Sequence, residues 1–297
     1  MEKIRITFLG TANAVPTKLR NHTSMLLTYK DENMLFDCGE GTQRQFRYAE
    51  LSPSKITKLL ITHWHGDHIL GIPGLLQTLG MSAYDRTLKI YGPRRSKYFF
   101  SLLDQLATIR IKTEIHEMED DSIKEKEFLI ESKSMDHDTP CNAYAFIIKD
   151  KLRLDKSKLK KYKLPNSPLL GDLQAGKDIV HNGKKIKASQ ATYLEKGRKV
   201  VFIMDTAYTD KAVEIAKDAD LLIIESTFSK DEEELAKEYK HLTATQAATI
   251  AKKANVKALL LTHISQRYEH IPQIIEKEAK RIFKNLKVAK DLDVIEL

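Results

Sequence analysis

Four potential metal ligands within six residues constrain this chain more than any other feature of its sequence. Residues 58–62, with three apolar side chains at their centre, predict a strand, and residues 63–68 follow directly with His-Trp-His-Gly-Asp-His. In an extended segment, residues two apart point to the same side, so the first two histidines can bind one ion together. The glycine permits a sharp turn, after which the aspartate and the last histidine face a second position. Imidazole and carboxylate groups without a thiolate are ligands that zinc accepts, so the segment predicts a metal centre at a strand end.

Three further candidate ligands also follow predicted strands. His137 lies in a loop after one strand, and Asp205 and His263 each end another. Taken alone, His137 is typical of a surface histidine and Asp205 of a helix cap. Together with residues 63–68, the three favour a single metal-binding cluster built from strand ends.

The apolar periodicity predicts an α/β architecture. Strand patterns with hairpin-like spacing fill the first half of the chain, and strands alternate with helices in the second half. The predicted strands are residues 4–9, 24–29, 34–37, 58–62, 87–91, 128–132, 144–148, 199–205, 221–225 and 258–262, and the later helices are 211–217, 230–239, 243–254 and 273–284. This order favours two mixed sheets packed face to face with helices outside, a four-layer αββα sandwich. No repeat or low-complexity linker divides the chain, so one domain spanning residues 1–297 is expected.

Composition and cysteine usage indicate the cellular compartment in which the protein is expected. Hydrophobic residues make up 42% of the 297 residues, enough for a substantial core, and no apolar run reaches the length of a membrane span. The first residues mix charges with alternating apolar side chains and carry no secretory pattern. Cys38 and Cys141 are far apart and form no CxxC pair, so a cytoplasmic protein without a membrane partner is expected.

The formal net charge of +8 is unevenly distributed along the chain. Residues 149–163 hold eight lysines and arginines against two aspartates, a balance of +6. A stretch rich in turn-forming residues follows at 164–171, without helical or strand periodicity. Residues 149–180 therefore predict a basic arm inserted into the domain. Residues 114–131 carry a balance of −6, which is typical of a solvated face.

Seven segments along the chain resemble a known family. They are Phe-Leu-Gly-Thr at 8–11, Pro-Thr-Lys-Leu-Arg-Asn at 16–21, Asp-Cys-Gly-Glu-Gly-Thr-Gln at 37–43, the motif at 63–68, Glu-Ser-Thr-Phe at 225–228, His-Leu-Thr-Ala-Thr-Gln-Ala at 241–247 and Leu-Thr-His-Ile-Ser-Gln-Arg-Tyr at 261–268. The motif at 63–68 alone is similar to the metallo-β-lactamase superfamily as a whole. The other segments resemble one of its families, the short form of tRNase Z (ribonuclease Z).

This resemblance implies a dinuclear zinc hydrolase with a metallo-β-lactamase fold and a flexible inserted arm. One zinc would take His63, His65 and His137, the other Asp67, His68 and His263, and Asp205 would bridge the two ions. Such a pair can hold a hydroxide that attacks a phosphodiester. The implied reaction removes the 3′ trailer of precursor tRNA, leaving a 3′-hydroxyl on the tRNA and a 5′-phosphate on the trailer.

The resemblance also assigns catalytic and substrate-binding residues. His241 would be the general acid with Glu225 as its partner, and Asp67 would also orient the nucleophile. The expected RNA-binding residues lie in two loops and the arm: Lys18, Arg20, Asn21, Ser265, Arg267, Tyr268, Lys158, Lys160 and Lys161. Arg267 and Tyr268 have an alternative role as anchors of their loop to the next helix. The implied assembly is a homodimer in which the arm of one subunit serves the active site of the other.

Two other functions compete with this prediction. A small-molecule phosphodiesterase, or a thioester or lactone hydrolase of the same superfamily, would use the metals but would leave His241 and the arm without a role. An RNA-binding protein with structural zinc would require closed coordination, which is usually rich in thiolates. The ligand types also suit Mn²⁺ or Fe²⁺, so the residues alone do not select the metal.

Overall fold

The structure, a computed structural model, describes residues 2–106 and 110–297. The strands in the described residues are β1 (Ile4–Gly10), β2 (Ser24–Tyr29), β3 (Glu32–Phe36), β4 (Lys58–Leu60), β5 (Thr87–Gly92), β6 (Lys112–Glu117), β7 (Ser122–Lys124), β8 (Leu129–Ser134), β9 (Asn142–Ile148), β10 (Lys151–Leu154), β11 (Ile179–His181), β12 (Lys184–Ile186), β13 (Thr192–Glu195), β14 (Arg198–Ile203), β15 (Leu221–Glu225), β16 (Leu259–Thr262), β17 (Leu286–Val288) and β18 (Val294–Glu296). The helices are α1 (Thr42–Tyr48), α2 (Gly66–Ile69), α3 (Ile72–Met81), α4 (Ser96–Leu106), α5 (Lys156–Lys161), α6 (Leu169–Gln174), α7 (Ala188–Ala191), α8 (Asp210–Ala216), α9 (Glu233–Glu238), α10 (Ala244–Lys253) and α11 (Gln273–Lys280), with 3₁₀ turns at Pro53–Lys55, Lys230–Glu232 and Gln266–Tyr268.

Two seven-stranded sheets form the larger of two compact units, residues 2–123, 130–146 and 199–297. The first sheet has the order β18-β1-β2-β3-β4-β5-β6, antiparallel as far as β3 and parallel from β3 to β6. The second has the order β17-β16-β15-β14-β9-β8-β7, with β14 to β17 parallel. Each sheet therefore has a parallel region whose strands end on the same edge.

The two sheets face each other through aromatic side chains. Phe36, at the end of β3 in the first sheet, stacks its ring on that of Phe202 in the second sheet, with the ring centroids 3.9 Å apart. The Tyr144 hydroxyl donates a hydrogen bond of 2.8 Å to the carbonyl of Ile61. Since these side chains are largely or fully buried, the layer between the sheets is a continuous core.

Helices cover the outer faces and complete four layers. On the first sheet, α3 buries Ile72, Leu75, Leu76 and Leu79, the i, i+3, i+4, i+7 stripe of an amphipathic helix. On the second sheet, α10 packs against β15 and β16 and against its neighbours α8 and α11. The predicted αββα sandwich is confirmed by this arrangement. No helix of the described residues is long and apolar enough to cross a membrane.

Residues 147–198, together with 124–129, form a separate compact unit that includes the predicted arm. Strands β10 and β13 pair antiparallel, with Lys151 opposite Glu195, and β11 pairs with β12. Helices α5, α6 and α7 enclose a small apolar cluster around Leu173 and Ile186. We therefore describe residues 147–198 as the arm.

The structure corrects the predicted turn stretch at residues 164–171. Helix α6 begins at Leu169, and Leu164, Leu169 and Leu170 pack on the apolar cluster of the arm. Pro168 occupies the position before the helix, so the proline that indicated a turn also marks a helix start. Six residues are too few to show helical periodicity in the sequence.

Candidate metal centre

The ends of the parallel strands bring the predicted metal ligands together. Residues 63–68 follow β4 in the first sheet, and Asp205 and His263 follow β14 and β16 in the second. His137 lies in the loop between β8 and β9. The seven predicted ligands form two groups that share Asp205, with the ligand atoms of each group within 4.8 Å of one another.

The first group contains His63, His65, His137 and one oxygen of Asp205. Oδ2 of Asp205 lies 3.4 Å from Nε2 of His63 and 3.9 Å from Nε2 of His137. His137 Nε2 is 3.3 Å from His65 Nδ1. These nitrogens converge on one point beside the carboxylate, as the spacing of residues 63–68 predicts for the first two histidines.

The second group contains Asp67, His68, His263 and the other oxygen of Asp205. Oδ1 of Asp205 lies 3.5 Å from His68 Nε2 and 3.2 Å from His263 Nε2. Oδ2 of Asp67 is 3.3 Å and 3.4 Å from the same two nitrogens. Asp205 thus directs one oxygen to each group, which is the geometry that a bridging carboxylate requires.

These residues fit a pair of divalent cations. Nε2 of His63 and Oδ1 of Asp205 are buried and make no hydrogen bond within the described residues. Buried polar atoms are rarely left unsatisfied, and a cation between the imidazoles and the carboxylate would satisfy both. Burial alone would raise the pKa of Asp205, but His263 and His68 hold it well below the ordinary value, so the carboxylate is ionised.

Asp37 is a supporting residue that the sequence did not identify. Its Oδ2 lies 2.8 Å from Nδ1 of His68, and its two oxygens accept hydrogen bonds from the backbone N–H and the hydroxyl of Thr62. Asp37 is fully buried and has a left-handed backbone, with φ of 54°. A carboxylate on the outer nitrogen fixes the ring orientation of a metal-binding histidine. The Asp-Cys-Gly sequence directly after β3 was the available signal.

Thr227 supports His263 in the same way. Its hydroxyl oxygen lies 2.9 Å from Nδ1 of His263 and donates a hydrogen bond of 2.6 Å to Oε2 of Glu225. His263 also has a left-handed backbone, with φ of 58°. A non-glycine residue in this region is strained, and such strain persists where the surroundings hold it in place. Here the turn directs the imidazole from the strand end toward Asp205.

His241 lies beside both groups, with its ring centroid 5.5 Å from that of His137 and 5.4 Å from that of His263, and it is paired with a buried carboxylate. Its Nδ1 is 3.1 Å and 3.2 Å from the two oxygens of Glu225, and its Nε2 lies 4.0 Å from Oδ2 of Asp205. Burial would lower the pKa of His241, but Glu225 and Asp205 raise it to about 9. Thr243, two residues after His241, forms a capping box with Gln246 at the start of α10.

The predicted RNA-binding residues at 18–21 have different environments. Lys18 is exposed and lines a cavity of about 430 Å³ together with Arg44 and Tyr48. Arg20 is buried, and its guanidinium donates hydrogen bonds to Thr11 and to the carbonyl of Ala289. The structure therefore gives Arg20 a role in holding its loop. Asn21 lines the same cavity as Lys18 and donates a hydrogen bond to the carbonyl of Glu40.

The residues after His263 mainly anchor their loop. Ser265 is buried and caps the 3₁₀ turn at Gln266–Tyr268. The Tyr268 hydroxyl accepts a hydrogen bond from the backbone N–H of Ser229 and contacts Glu232. Arg267 is half-exposed and pairs with Glu232 at 3.4 Å, so it alone among the three presents a cation at the surface.

The three predicted arm lysines lie on α5. Lys160 and Lys161 are exposed. Lys158 is partly buried, where its Nζ lies 3.6 Å from Asp155 and 3.4 Å from the carbonyl oxygen of Thr192. Lys156, at the start of the same helix, is also exposed, so three lysines of α5 are available to a polyanion.

Comparison with known proteins finds matching family models, similar sequences and similar structures. A family model described as anti-Pycsar protein Apyc1 matches residues 4–151, and one described as beta-lactamase superfamily domain matches residues 180–264. Ribonuclease Z of Methanosarcina acetivorans is 36% identical over 299 residues, covering 99% of this chain and 98% of the relative. The crystal structure of the human short-form tRNase Z superposes with a TM-score of 0.70 at 26% identity, covering 98% of both chains. The metallo-β-lactamase fold protein YhfI of Bacillus subtilis, 22% identical, superposes with a TM-score of 0.74 over the whole of both chains.

Proposed function

The chain belongs to the ribonuclease Z family, and from this premise we propose that it is a zinc-dependent endoribonuclease that removes the 3′ trailer of precursor tRNA. The products would be a 3′-hydroxyl on the tRNA and a 5′-phosphate on the trailer. The observation that carries the proposal is the pair of partly buried His241 and fully buried Glu225 beside the shared carboxylate of Asp205. A phosphodiester with a poor leaving group needs a proton donor at this place.

Two zinc ions per subunit would be held by His63, His65 and His137 on one side and by Asp67, His68 and His263 on the other, bridged by Asp205. When bound, they would supply Lewis acidity and a source of nucleophilic water at neutral pH. Asp67 is held ionised: burial opposes this, but His68 and His263 keep its pKa far below the ordinary value. Its carboxylate can therefore accept a hydrogen bond from the attacking water and orient it.

His241 would hold the proton that the departing 3′ oxygen needs. A sugar alkoxide is strongly basic, so donation from Nε2 of a protonated imidazole lowers the barrier to its departure. Glu225 holds Nδ1 and stabilises the protonated ring, and Thr227 and the backbone N–H of Thr206 hold Glu225 in turn. The four groups form one hydrogen-bonded support for a single proton transfer.

The cavity lined by Lys18, Arg44 and Tyr48 would receive the trailer. Arg44 lies over the ring of Tyr48, with its guanidinium carbon 5.9 Å from the ring centroid. Cations beside an exposed aromatic ring are the usual components of a single-strand binding site, where bases stack and phosphates are neutralised.

Incubation with end-labelled precursor tRNA tests the proposed function. We expect one cut at the junction with the trailer, with the end groups given above, and complete loss of cleavage after chelation that zinc restores. Mapping of both end groups by ligation and phosphatase treatment is the measurement. Faster turnover of a thioester or lactone than of precursor tRNA would instead favour a small-molecule hydrolase.

Removal of the arm tests whether it forms a separate RNA-binding site. Because Lys151 and Glu195 are cross-strand partners, a short Gly-Ser linker can replace residues 151–195 and leave the two ends close together. We expect a KM for precursor tRNA raised by about tenfold or more, with a weaker salt dependence, because phosphate contacts are lost. Hydrolysis of bis(p-nitrophenyl) phosphate should change by less than about twofold. Equal losses on both substrates would contradict a separate arm site.

A homodimer is proposed from the family resemblance and from exposed apolar side chains on the larger unit. Leu70 and Met81 are more than half exposed, at 54% and 79%. Sedimentation gives the mass, and mixed dimers test the sharing of arms. An armless subunit should regain cleavage when paired with an Asp205→Ala subunit that keeps its arm.

Cys38 and Cys141 are both unpaired, which fits the proposed cytoplasmic location.

A further inference from the structure

We propose that a cavity beside His137 is a base-reading pocket for guanine, with Arg94 as its specificity-determining residue. The proposal rests on the ribonuclease activity proposed above and assigns the pocket to the nucleotide on the 5′ side of the scissile bond. The cavity has a volume of about 250 Å³ and opens at the first ligand group. It lies wholly within the larger unit.

Three loops from different elements build this cavity. Arg94 follows β5, Glu119 follows β6, and residues 134–142 connect β8 to β9. His137 and Asp138 belong to the last of these loops, so the cavity shares a wall with the candidate metal centre. Asp138 faces that centre, with Oδ1 at 3.3 Å from Nε2 of both His65 and His137. A nucleotide at the metal centre can therefore extend directly into the cavity.

Arg94 and Glu119 are the charged side chains of the cavity that are free to bind a ligand. Both are exposed, and within residues 2–106 and 110–297 neither side chain has a hydrogen-bond or ion-pair partner. The neighbouring Arg95 differs, because its guanidinium lies 5.2 Å from the ring centroids of both Tyr98 and Phe99. Two adjacent arginines thus have different environments, and only Arg94 lines the cavity.

The mixture of groups fits a nucleobase better than a phosphate. A phosphate would meet the carboxylates of Glu119 and Asp138, whereas a base edge offers both donors and acceptors. Guanine presents the acceptors O6 and N7, which an arginine binds bidentately, and N–H donors on its Watson–Crick edge for a carboxylate. Single-stranded RNA is commonly read in this way, with the base turned out of the stack. Guanine thus offers a bidentate acceptor pair to Arg94 and N–H donors to Glu119.

The position of the cavity selects the nucleotide. His137 lines the cavity, and its ring centroid lies 5.5 Å from that of His241, the proposed proton donor to the departing 3′ oxygen. That oxygen belongs to the nucleotide on the 5′ side of the cut. This nucleotide is therefore the one that can reach Arg94.

Cleavage of four precursor tRNAs that differ only in the base 5′ to the scissile bond tests the pocket. With the full-length zinc enzyme, we expect kcat/KM for guanine to exceed that for uracil or cytosine by about tenfold. Arg94→Ala should bring the four values to within about twofold of one another. Arg94→Lys keeps the charge but not the bidentate geometry and should retain only part of the preference.

Arg95→Ala is the matched control and should keep the full guanine preference. A thermal midpoint and a zinc content equal to wild type would show that Arg94→Ala is folded and loaded. An equal loss for all four bases in Arg94→Ala would overturn the base-reading role, as would a wild-type preference that follows the base 3′ to the cut. Failure of the wild-type enzyme to cut any precursor tRNA would instead refute the proposed function.

Discussion

Asp205→Ala is expected to lower the rate of precursor tRNA cleavage by more than about a thousandfold, the equivalent of several kcal/mol of transition-state stabilisation. Asp205 is the residue common to both ligand groups, with Oδ2 facing His63 and Oδ1 facing His263. Removal of its charge leaves several buried imidazoles without their shared anion. Single-turnover cleavage at saturating enzyme measures the rate, and elemental analysis measures the zinc per chain. We expect the zinc content to fall below two per chain in parallel.

Thermal unfolding adds a readout that does not depend on activity. Ligands that bind only the folded state stabilise it by mass action, so chelation should lower the wild-type midpoint by several degrees. In Asp205→Ala the same treatment should have a much smaller effect. Asp136→Ala is the matched control, because this carboxylate lies next to His137 in the chain but pairs outward with Lys240 at 2.9 Å. Asp136→Ala should remain within about threefold of wild type, and an Asp205→Ala enzyme with full zinc and full activity would contradict the bridging role.

The sequence predicted the architecture because the buried strands are nearly continuous apolar runs. β2 and β15 have the predicted bounds, residues 24–29 and 221–225. Strand β6 was missed because charged residues alternate along it and most of its side chains are at least partly exposed. Helix α1 was missed because it has only seven residues and directly follows the glycines at 39 and 41, which are signals for turns.

The clustering of the candidate metal ligands could be predicted because four of them stand within six residues and their residue types are chemically specific. The structure brings all seven together. The residues that hold these histidines in place could not be predicted in the same way. Asp37 reaches His68 from another strand, and the pairing depends on a left-handed residue at the strand end that no periodicity reveals. Contacts between distant segments come from the packing of the two sheets.

The predicted RNA-binding residues show where residue type alone is an insufficient guide. Arg20 and Tyr268 were chosen for their chemistry, but both are buried in hydrogen-bonded loops. For Tyr268 the alternative role as an anchor fits the contacts. Arg44 and Arg94, which line open cavities, stand in segments whose sequence gave no reason to select them. Exposure depends on tertiary packing, so residue type alone does not separate a surface cation from a buried one.

His241→Ala is expected to slow precursor tRNA cleavage by about 10²- to 10⁴-fold, the usual contribution of a positioned general acid. The size of the loss should depend on the leaving group. A 3′ alkoxide needs a proton as it departs, whereas a nitrophenolate leaves without one. We therefore expect bis(p-nitrophenyl) phosphate hydrolysis by the variant to stay within about fivefold of wild type. The measurement is kcat for both substrates under the same conditions.

Glu225→Gln tests whether the protonation of His241 matters for cleavage, because the imidazole itself stays in place. It keeps a hydrogen-bonding side chain near His241 Nδ1 but removes the negative charge that, with Asp205, raises the pKa of His241 to about 9. A less basic ring is protonated in a smaller fraction of molecules, so cleavage of the RNA should fall while the nitrophenyl ester is again spared. Thr245→Ala, close in the chain but directed to Thr243, is a control that should leave both rates near wild type. Equal losses on both substrates in His241→Ala would show that this histidine supports the metal centre instead, because a damaged centre would slow every phosphodiester irrespective of its leaving group.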